Sequence, residues 1–359
     1  MPMRVGIVGA GAIGCYLAAS LARAGHEVEL VGRQEQADAI NASGLLVTMP
    51  DGKQERFALH TTTELDGPVD LILLAVKTQD VSDACKAIAS RDTSTPVVAL
   101  QNGVRADRLA GDELGHERVL GGVVMCGVTY TKPGEISVQF AGWLILGEAF
   151  GPPQKRTHEI ARTLRSALPT YHTHNLERTR WSKLIYNLIN GVSAATGLTQ
   201  PEIIRSPAGL DIVVHIFKEG YLVARASGIT LDHGVYGLEP QALRQDPNAS
   251  LVGLLQASFT ALVSAGPEFV ARRVLALAGR SRLGALSVRS STWQSIVRQR
   301  PTEIEYLNGE IVQRGKLLGI STPYNARVVE AVHQVERSHS FLPVEELLPE
   351  SARTRPLSR

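Results

Sequence analysis

The N-terminal part of the chain holds the feature that most constrains its fold. Residues 4–8 (R-V-G-I-V) form a short apolar strand pattern, and a glycine-rich turn, G-A-G-A-I-G, follows at once. Residues 13–24 have helical spacing and stop at Gly25, and residues 27–31 indicate a second strand. Strand, glycine turn, helix and strand in this order are typical of a dinucleotide-binding unit. We therefore expect an α/β, Rossmann-like domain at the N-terminus.

Each glycine of the turn has a physical role in such a unit. Gly9 permits the tight turn, Gly11 lets the backbone approach a pyrophosphate, and Gly14 lets the helix pack closely on the strand. The pyrophosphate would lie at the N-terminus of the helix, where backbone N–H groups are exposed. The predicted cofactor-binding turn comprises Gly9, Ala10, Gly11, Ala12, Ile13 and Gly14.

Arg33 follows the second strand at the position where NAD-binding proteins usually carry an acid. An acid there binds the two ribose hydroxyls, whereas an arginine suits the 2′-phosphate of NADP. The alternative is a solvated arginine at a strand end. We favour NADP.

Two further polar residues follow predicted buried strands. Lys77 comes after the strand at 70–76, and Asn102 comes after the strand at 96–100. Ligands of open α/β sheets gather at the carboxyl ends of strands, so both residues are candidates for the nicotinamide end of the cofactor. A solvated lysine and a turn asparagine are the structural alternatives. The turn signatures P-D-G-K at 50–53 and K-P-G at 132–134 predict two hairpins.

The second part of the chain is almost wholly helical in pattern, starting near residue 178. The stretch W-S-K-L-I-Y-N-L-I-N-G-V-S-A-A-T (181–196) predicts one helix, on which Lys183, Asn187 and Asn190 fall within about 60° of one another. A cation aligned with two amides can hold a polar ligand and protonate one of its oxygens. A surface lysine whose stem lies on apolar neighbours is the alternative. Glu303 lies in the first turn of a predicted helix at 302–318, where the helix dipole alone would favour a carboxylate.

Composition excludes several classes of protein. The 359 residues are 44% hydrophobic and carry a formal net charge of +2, which argues against a general binder of nucleic acid. The three cysteines are widely spaced and indicate neither a metal site nor a disulfide framework. We expect no signal peptide and no membrane-length apolar run, and hence a cytoplasmic protein without membrane or nucleic-acid partners. The expected domains are 1–177 and 178–340, followed by a tail at 341–359.

Five motifs in one order resemble the ketopantoate reductase (2-dehydropantoate 2-reductase) family. They are the glycine turn, L-A-V-K at 74–77, Q-N-G at 101–103, W-S-K-L-I-Y-N at 181–187 and T-E-I-E-Y-L-N-G at 302–309. The resemblance covers roughly residues 3–228 and 288–338 and implies a Rossmann-like domain followed by an all-α domain. It also implies NADPH as cofactor and reduction of ketopantoate to pantoate, in pantothenate and coenzyme A synthesis. By the same resemblance Lys183 is the general acid, and Asn102, Asn187, Ser291 and Glu303 bind substrate. Lys77 and Arg33 match positions that contact NADP.

The chain departs from this family pattern at two places. The family usually has a second asparagine eight residues after the lysine, where this chain has Gly191, and Asn190 could substitute for it. Residues 229–286 replace a much shorter connection, with amphipathic segments at 251–264 and 268–278 and a basic end at Arg272, Arg273, Arg280 and Arg282. This segment could be an extra helical pair, a lid, a dimerisation arm or a nucleic-acid patch, and the sequence leaves these alternatives open.

We expect an NADPH-dependent reductase of a small 2-oxo acid, with a homodimer left open. Two alternatives stand beside this hypothesis. One is a paralogue that reduces another branched or larger 2-oxo acid, and the other is a redox sensor that binds NADP(H) without turnover. A sensor needs the glycine turn and Arg33, but it has no need of Lys183, Asn187, Ser291 and Glu303 in register.

Overall fold

The computed structural model describes residues 2–231, 263, 266–280 and 290–353. The described chain divides into two compact units, one ending at Glu177 and the other beginning at Arg178.

The first unit is built on a mixed sheet. In the described chain its strands are β1 (Arg4–Val8), β2 (Glu27–Val31), β3 (Leu45–Thr48), β4 (Gln54–Phe57), β5 (His60–Thr62), β6 (Leu71–Leu74), β7 (Val97–Ala99), β8 (Val119–Lys132), β9 (Glu135–Glu148) and β10 (Thr170–His172). They lie in the order β4-β3-β9-β8-β7-β6-β1-β2-β5, and β10 pairs with β9. The run from β8 to β5 is parallel, with Ile7 opposite both Leu30 of β2 and Leu73 of β6.

Helices cover both faces of the parallel part of this sheet. They are α1 (Ala12–Arg23), α2 (Gln34–Ser43), α3 (Val81–Ala89), α4 (Ala106–Leu114) and α5 (Lys155–Leu164). One apolar core joins α1 and α5 to β1, and a second core joins α3 and α4 to β6 and β7. Strand β6 has no solvent-exposed side chain, as its unbroken apolar run predicts for a parallel strand covered on both faces. The Rossmann-like fold expected from the glycine turn is confirmed.

The two predicted hairpins are also present. Strands β3 and β4 pair antiparallel around the P-D-G-K turn, and β8 and β9 pair antiparallel around Gly134, whose φ of 75° suits glycine. Strand β9 pairs in parallel with β3, so the two hairpins form one end of the sheet.

The second unit is helical throughout its described part. Its helices are α6 (Leu176–Asn187, which starts two residues before the boundary), α7 (Ile189–Thr196), α8 (Gln200–Arg205), α9 (Pro207–Ala226), α10 (Glu268–Arg280), α11 (Ser291–Val297), α12 (Asn308–Leu318), α13 (Pro323–Ser338) and α14 (Glu350–Arg353). None of the described helices is long and apolar enough to cross a membrane.

The single helix predicted at 181–196 is wrong, because the helix breaks at Leu188 between α6 and α7. The Leu188 N–H donates to Ile185 O at 3.2 Å, and the Gly191 N–H donates to Leu188 O at 3.3 Å. These bonds span three residues rather than four, so the backbone tightens into a 3-10 turn. The Leu188 carbonyl also accepts a bond from Asn308 Nδ2 at 3.2 Å. A side chain 120 residues away thus holds the break.

The start of the predicted helix at 302–318 is also corrected. Residues Ile304–Tyr306 form a 3-10 turn, and α12 begins only at Asn308. Glu303 therefore precedes the 3-10 turn and does not lie in the first turn of an α-helix. The dipole of an α-helix therefore does not explain why a carboxylate is buried at this position.

The segment expected as a tail packs on the second unit as far as it is described. Leu342 N donates to Ala195 O at 2.9 Å, and Val344, Leu347 and Leu348 are buried. Of the unusual segment at 229–286, the predicted helix at 268–278 is present as part of α10. The predicted segment at 251–264, apart from the buried Val263, and Arg282 lie outside the described residues.

Candidate active site

The glycine turn has the geometry that its sequence predicts. Gly9 has a φ of 118°, and a Cβ there would lie 2.6 Å from the backbone carbon of Ala75 on the neighbouring segment. A Cβ at Gly14 would lie 1.9 Å from Gly9 O, so only glycine lets α1 pack this closely on the turn. Both positions exclude any side chain, each for a steric reason of its own.

Gly11 differs from the other two glycines, because a Cβ at this position would meet nothing within 4 Å. It is exposed and forms the N-cap of α1, where the first backbone N–H groups of a helix have no intrahelical partner. The open space beside an exposed helix N-terminus fits an approaching pyrophosphate.

Gln36, which was not identified from the sequence, stabilises this turn through hydrogen bonds of its side chain. Its Nε2 donates to Ala10 O at 3.1 Å, and its Oε1 accepts bonds from Tyr130 O–H at 2.8 Å and Gly134 N–H at 3.0 Å. The Cys15 thiol donates to the same Ala10 carbonyl, and burial raises the pKa of that thiol to about 12. Cys15 therefore acts here as a neutral packing residue. A glutamine in the first turn of a surface helix gives no signal of such a role.

Arg33 lies at the carboxyl end of β2, exposed, as the N-cap of α2. Because β1 and β2 are parallel and in register up to Val8 and Val31, Arg33 and the glycine turn leave the sheet at the same edge.

Lys77 and Asn102 lie at that edge too, since β6 and β7 continue the parallel order from β1. Their loops are joined by a bond from Thr78 Oγ1 to Asn102 O at 3.4 Å. The buried Gln101 links the end of β7 to the end of β6, because its Nε2 donates to Leu74 O at 2.9 Å and Val76 O at 3.1 Å. The residues that the sequence assigned to the cofactor thus all lie at one edge of the sheet.

In the second unit, Lys183, Asn187 and Asn190 flank the helix break. Lys183 is half-buried, and both asparagines are buried. Asn190 Nδ2 donates to Asn187 Oδ1 at 3.4 Å, and Gln200 Nε2 donates to Asn190 Oδ1 at 3.3 Å. Tyr186 O–H donates to Gln200 Oε1 at 3.5 Å. This chain of bonds orients both asparagine amides, and neither Gln200 nor Tyr186 was identified from the sequence.

The family's second asparagine position, Gly191, has no room for a side chain. A Cβ there would lie 2.6 Å from Asn308 Oδ1, 2.6 Å from Val328 Cγ1 and 2.9 Å from Ile304 Cδ1. All three neighbours are buried, so the space beside α7 is filled from α12, α13 and the 3-10 turn. An asparagine fits at position 190 and not at 191.

A buried polar network lies behind the break. Asn308 Nδ2 donates to Asn325 Oδ1 at 2.9 Å, and Asn325 Nδ2 donates to Glu219 Oε2 at 2.7 Å. Glu219 also accepts bonds from the backbone N–H groups of Tyr324 and Asn325, each at 2.9 Å. Burial nevertheless raises the pKa of Glu219 above its ordinary value. The network fixes Asn308, which in turn holds the break.

Ser291 and Glu303 occupy separate segments of the second unit. Ser291 is the first residue of α11, which packs on α7, and Ser290 caps that helix by accepting from the Trp293 N–H at 3.1 Å. Glu303 is buried in a segment that is fixed to α13, because Glu336 Oε1 accepts from the Thr302 N–H at 2.8 Å.

A second group of polar residues, Asp211, His215 and Glu268, brings three ligand-type atoms within 4.8 Å of one another. Arg272 donates to both carboxylates, and Tyr324 O–H donates to Asp211 Oδ2 at 3.0 Å. A guanidinium already neutralises the carboxylates that would hold a metal ion. We interpret the group as an ion-pair network that joins α9, α10 and α13.

Comparison with known proteins identifies the family of this chain. Residues 5–151 match the family described as ketopantoate reductase PanE/ApbA, and residues 175–336 match the family described as its C-terminal domain. The chain belongs to the ketopantoate reductase family. It is therefore an oxidoreductase, and the cofactor of this family is NADPH.

Individual relatives cover nearly the whole chain. The 2-dehydropantoate 2-reductase of Pyrococcus horikoshii is 28% identical over 90% of this chain and 94% of its own length. The enzyme of the same name from Halobacterium salinarum is 24% identical over 93% of this chain and 99% of its own. A PanE/ApbA family ketopantoate reductase from Ralstonia eutropha superimposes with a TM-score of 0.73 at 28% identity, over 93% of this chain and 99% of that one. A D-mandelate dehydrogenase, solved with NADH and anilino(oxo)acetate, has the same fold, with a TM-score of 0.76 at 23% identity over 94% and 99% of the two chains.

Proposed function

We propose that this chain reduces 2-dehydropantoate to pantoate, with residues 1–177 as the NADPH-binding domain and 178–340 as the substrate domain. The observation that carries the proposal is the hydrogen-bonded group on α6 and α7, where Asn187 and Asn190 are oriented beside Lys183. When bound, NADPH supplies the hydride that reduces the C2 carbonyl, and a proton is needed at the carbonyl oxygen. Lys183 is the general acid that donates this proton from its ammonium group.

The first unit would bind the cofactor with groups of known chemistry. The N–H groups at Gly11 and the start of α1 bind the pyrophosphate, which the open space beside Gly11 admits. Arg33 binds the 2′-phosphate, a contact that NADH does not offer. Lys77 and Asn102 bind the nicotinamide end, where their loops are joined through Thr78.

The second unit would bind the substrate at both ends of the molecule. Ser291 binds the carboxylate, and Glu303 accepts a hydrogen bond from the terminal hydroxyl of 2-dehydropantoate. Asn187 and Asn190 hold the oxo group beside Lys183. Their amides present fixed donors and acceptors because Gln200 and Tyr186 orient them.

A second candidate is the reduction of a different 2-oxo acid. The displacement of the family's asparagine from position 191 to Asn190 favours it, because this shift changes the reach of one amide. A redox sensor is the weaker alternative, since it gives no reason for an oriented pair of buried amides beside a lysine.

A substrate panel separates these functions. The purified protein is given NADPH with 2-dehydropantoate, with 3,3-dimethyl-2-oxobutanoate, which lacks only the hydroxyl group, or with benzoylformate, and oxidation of NADPH is followed by absorbance. We expect the highest kcat/KM for 2-dehydropantoate. A preference for benzoylformate would support the second candidate, and no turnover with any oxo acid would support the sensor.

Lys183→Ala tests the catalytic assignment within the same assay. General acid catalysis contributes about 10²–10⁴-fold, so kcat should fall by that factor while the Kd for NADPH stays unchanged. Lys316→Ala, on the exposed side of α12, is the matched control and should leave kcat unchanged. A kcat for Lys183→Ala equal to that of the control would refute the assignment.

A further inference from the structure

A basic, histidine-rich pocket lies on the first unit between α5 and β10. Its volume is about 480 Å³, within the range of small-molecule sites. Its lining residues are Lys155, His158, Glu159, Arg162, Arg165 and His172. None of them has a part in the proposed reaction, so the proposed function leaves this pocket unexplained.

The two histidines that line the pocket contact each other, and a third histidine lies near them. The rings of His158 and His172 have centroids 3.9 Å apart, and the ring of His174 lies 5.6 Å from His172 and 6.4 Å from His158. Two neighbouring imidazoles repel each other once both are protonated. An anion between or beside them would remove that repulsion.

The permanent charges around these rings are mostly positive. Three of the lining residues, Lys155, Arg162 and Arg165, are cationic, and only Glu159 is anionic. Glu159 Oε1 lies 3.2 Å from Lys155 Nζ, so these two charges offset each other and the two arginines supply the net positive charge of the lining. Arg165 is held in place by a bond from its Nε to Thr170 O at 3.0 Å, which leaves its terminal nitrogens for a ligand.

This charge pattern favours an anion over a metal ion. A cation held by the imidazoles would be repelled by two guanidinium groups of the lining. Metal ligation also needs ligand atoms that converge, and among the described residues the group within the required distance is Asp211, His215 and Glu268, on the other unit. Arginine, lysine and protonated histidine are instead the side chains that bind phosphate groups.

We propose that this pocket binds a small phosphorylated anion with at least two negative charges, as a site separate from the one that carries out the reduction. The guanidinium groups of Arg162 and Arg165 bind the phosphate oxygens. When protonated, the imidazoles of His158 and His172 add to the positive charge of the pocket, so the anion should bind more tightly at lower pH.

Two probes test the site by isothermal titration calorimetry with the full-length protein. Inorganic pyrophosphate tests the ligand class, and methanedisulfonate, which keeps both charges throughout, tests the pH dependence without a change in the probe. With NADPH present at saturating concentration to fill the dinucleotide site, we expect pyrophosphate to bind with 1:1 stoichiometry at fixed ionic strength. Methanedisulfonate should bind more tightly at pH 6 than at pH 8, by about threefold to tenfold for screened charge pairs.

Variants locate the binding within the pocket. Arg162→Gln should weaken pyrophosphate binding about twofold to fivefold, whereas Arg108→Gln, which removes another exposed charge, from α4, should leave it unchanged. The double substitution His158→Gln and His172→Gln should abolish the pH dependence of methanedisulfonate binding. Turnover of 2-dehydropantoate stays unchanged in Arg162→Gln, so failure of this proposal is distinguishable from failure of the proposed function.

Three results would overturn the proposal. Equal Kd values for the Arg162 and Arg108 variants would make the binding non-specific, and pH-independent binding of methanedisulfonate would exclude the imidazoles. Binding of Zn²⁺ without any binding of pyrophosphate would make the histidines a metal site.

Discussion

Replacing Gly191 by alanine or asparagine tests the claim that this position is closed to side chains. The added Cβ would lie 2.6 Å from Val328 Cγ1 and from Asn308 Oδ1, and 2.9 Å from Ile304 Cδ1. Real Cβ atoms essentially never show contacts under 3.0 Å, so α7 or its neighbours would have to shift. Overpacking of this kind costs about 1–3 kcal/mol. The gain from replacing a helical glycine by alanine offsets roughly 0.5–1 kcal/mol of it.

Taking the middle of each range, the net expectation for Gly191→Ala is a loss of about 1 kcal/mol in the free energy of unfolding. Gly191→Asn should lose more, because its amide must also enter the space that the Asn308 side chain fills, and asparagine gains less in a helix than alanine. Restoring the family's asparagine should therefore lower stability without raising kcat. Urea unfolding followed by circular dichroism and by tryptophan fluorescence measures the change.

A double-mutant cycle with Val328→Ala attributes the loss to this contact. Val328→Ala alone opens a small cavity and destabilises the protein, but it also removes the Cγ1 atom that the new methyl group would meet. The double variant should be more stable than the sum of the two single changes predicts, by about 0.5–1 kcal/mol or more. A Gly191→Ala protein as stable as the parent chain would show that the position is open and that the reasoning is wrong.

The remaining predictions concern the cofactor, the substrate and pH. Arg33→Asp should weaken NADPH binding about tenfold or more and remove the preference for NADPH over NADH. The reason is that a charge-assisted phosphate contact contributes about 1.5–3 kcal/mol. Equal Kd values for both cofactors in the parent protein would contradict this prediction. Glu303→Ala should mainly raise KM for 2-dehydropantoate and leave KM for 3,3-dimethyl-2-oxobutanoate unchanged, since it removes only the partner of the hydroxyl; equal increases would refute the assignment. Burial opposes the charge of His333, but its bonds to Glu305 and Glu336 outweigh burial and raise its pKa above the ordinary value of 6.5. The stabilising contribution of protonated His333 is therefore complete below about pH 6.5 and is lost as the pH rises through the raised pKa. His333→Gln should flatten the pH dependence of the free energy of unfolding in that window. An unchanged slope would contradict this prediction.

Features set by neighbouring residues could be predicted from the sequence. The glycine turn, the buried parallel strands and the two hairpins are of this kind, because each depends on steric needs or periodicity within about ten residues. Lys77 and Asn102 were placed correctly at one edge of the sheet since the carboxyl ends of parallel strands share that edge. Gln101, which joins their loops, belongs to the Q-N-G motif, but its hydrogen bonds could not be predicted. The two carbonyls that it binds come close to it only in the folded sheet.

Features set by distant residues could not be predicted. The break at Leu188 depends on Asn308, and the position of Glu303 depends on the bond between Thr302 and Glu336 of α13. Periodicity treats the stretch from 181 to 196 as one regular helix because Leu188, where the break lies, carries no turn signal. A regular helix of 100° per residue also predicts that Asn187 and Asn190 lie on the same side, but it does not include the break between them.

Under the proposed function, the break itself would allow Asn190 to act in place of an asparagine at position 191. In a regular helix, residues three apart differ by about 60° in direction, whereas in a 3-10 turn they eclipse each other. The tightened turn at Leu188 thus places Asn190 over Asn187, within the 3.4 Å bond that joins their amides. Asn308→Leu removes the donor to the Leu188 carbonyl, so α6 and α7 should merge into a regular helix and Asn190 should rotate away from Asn187. We expect kcat/KM for the oxo acid to fall while the Kd for NADPH is unchanged. In that background Asn190→Ala should have no further effect, although alone it lowers kcat/KM. Independent effects of the two substitutions would show that Asn308 does not act through Asn190.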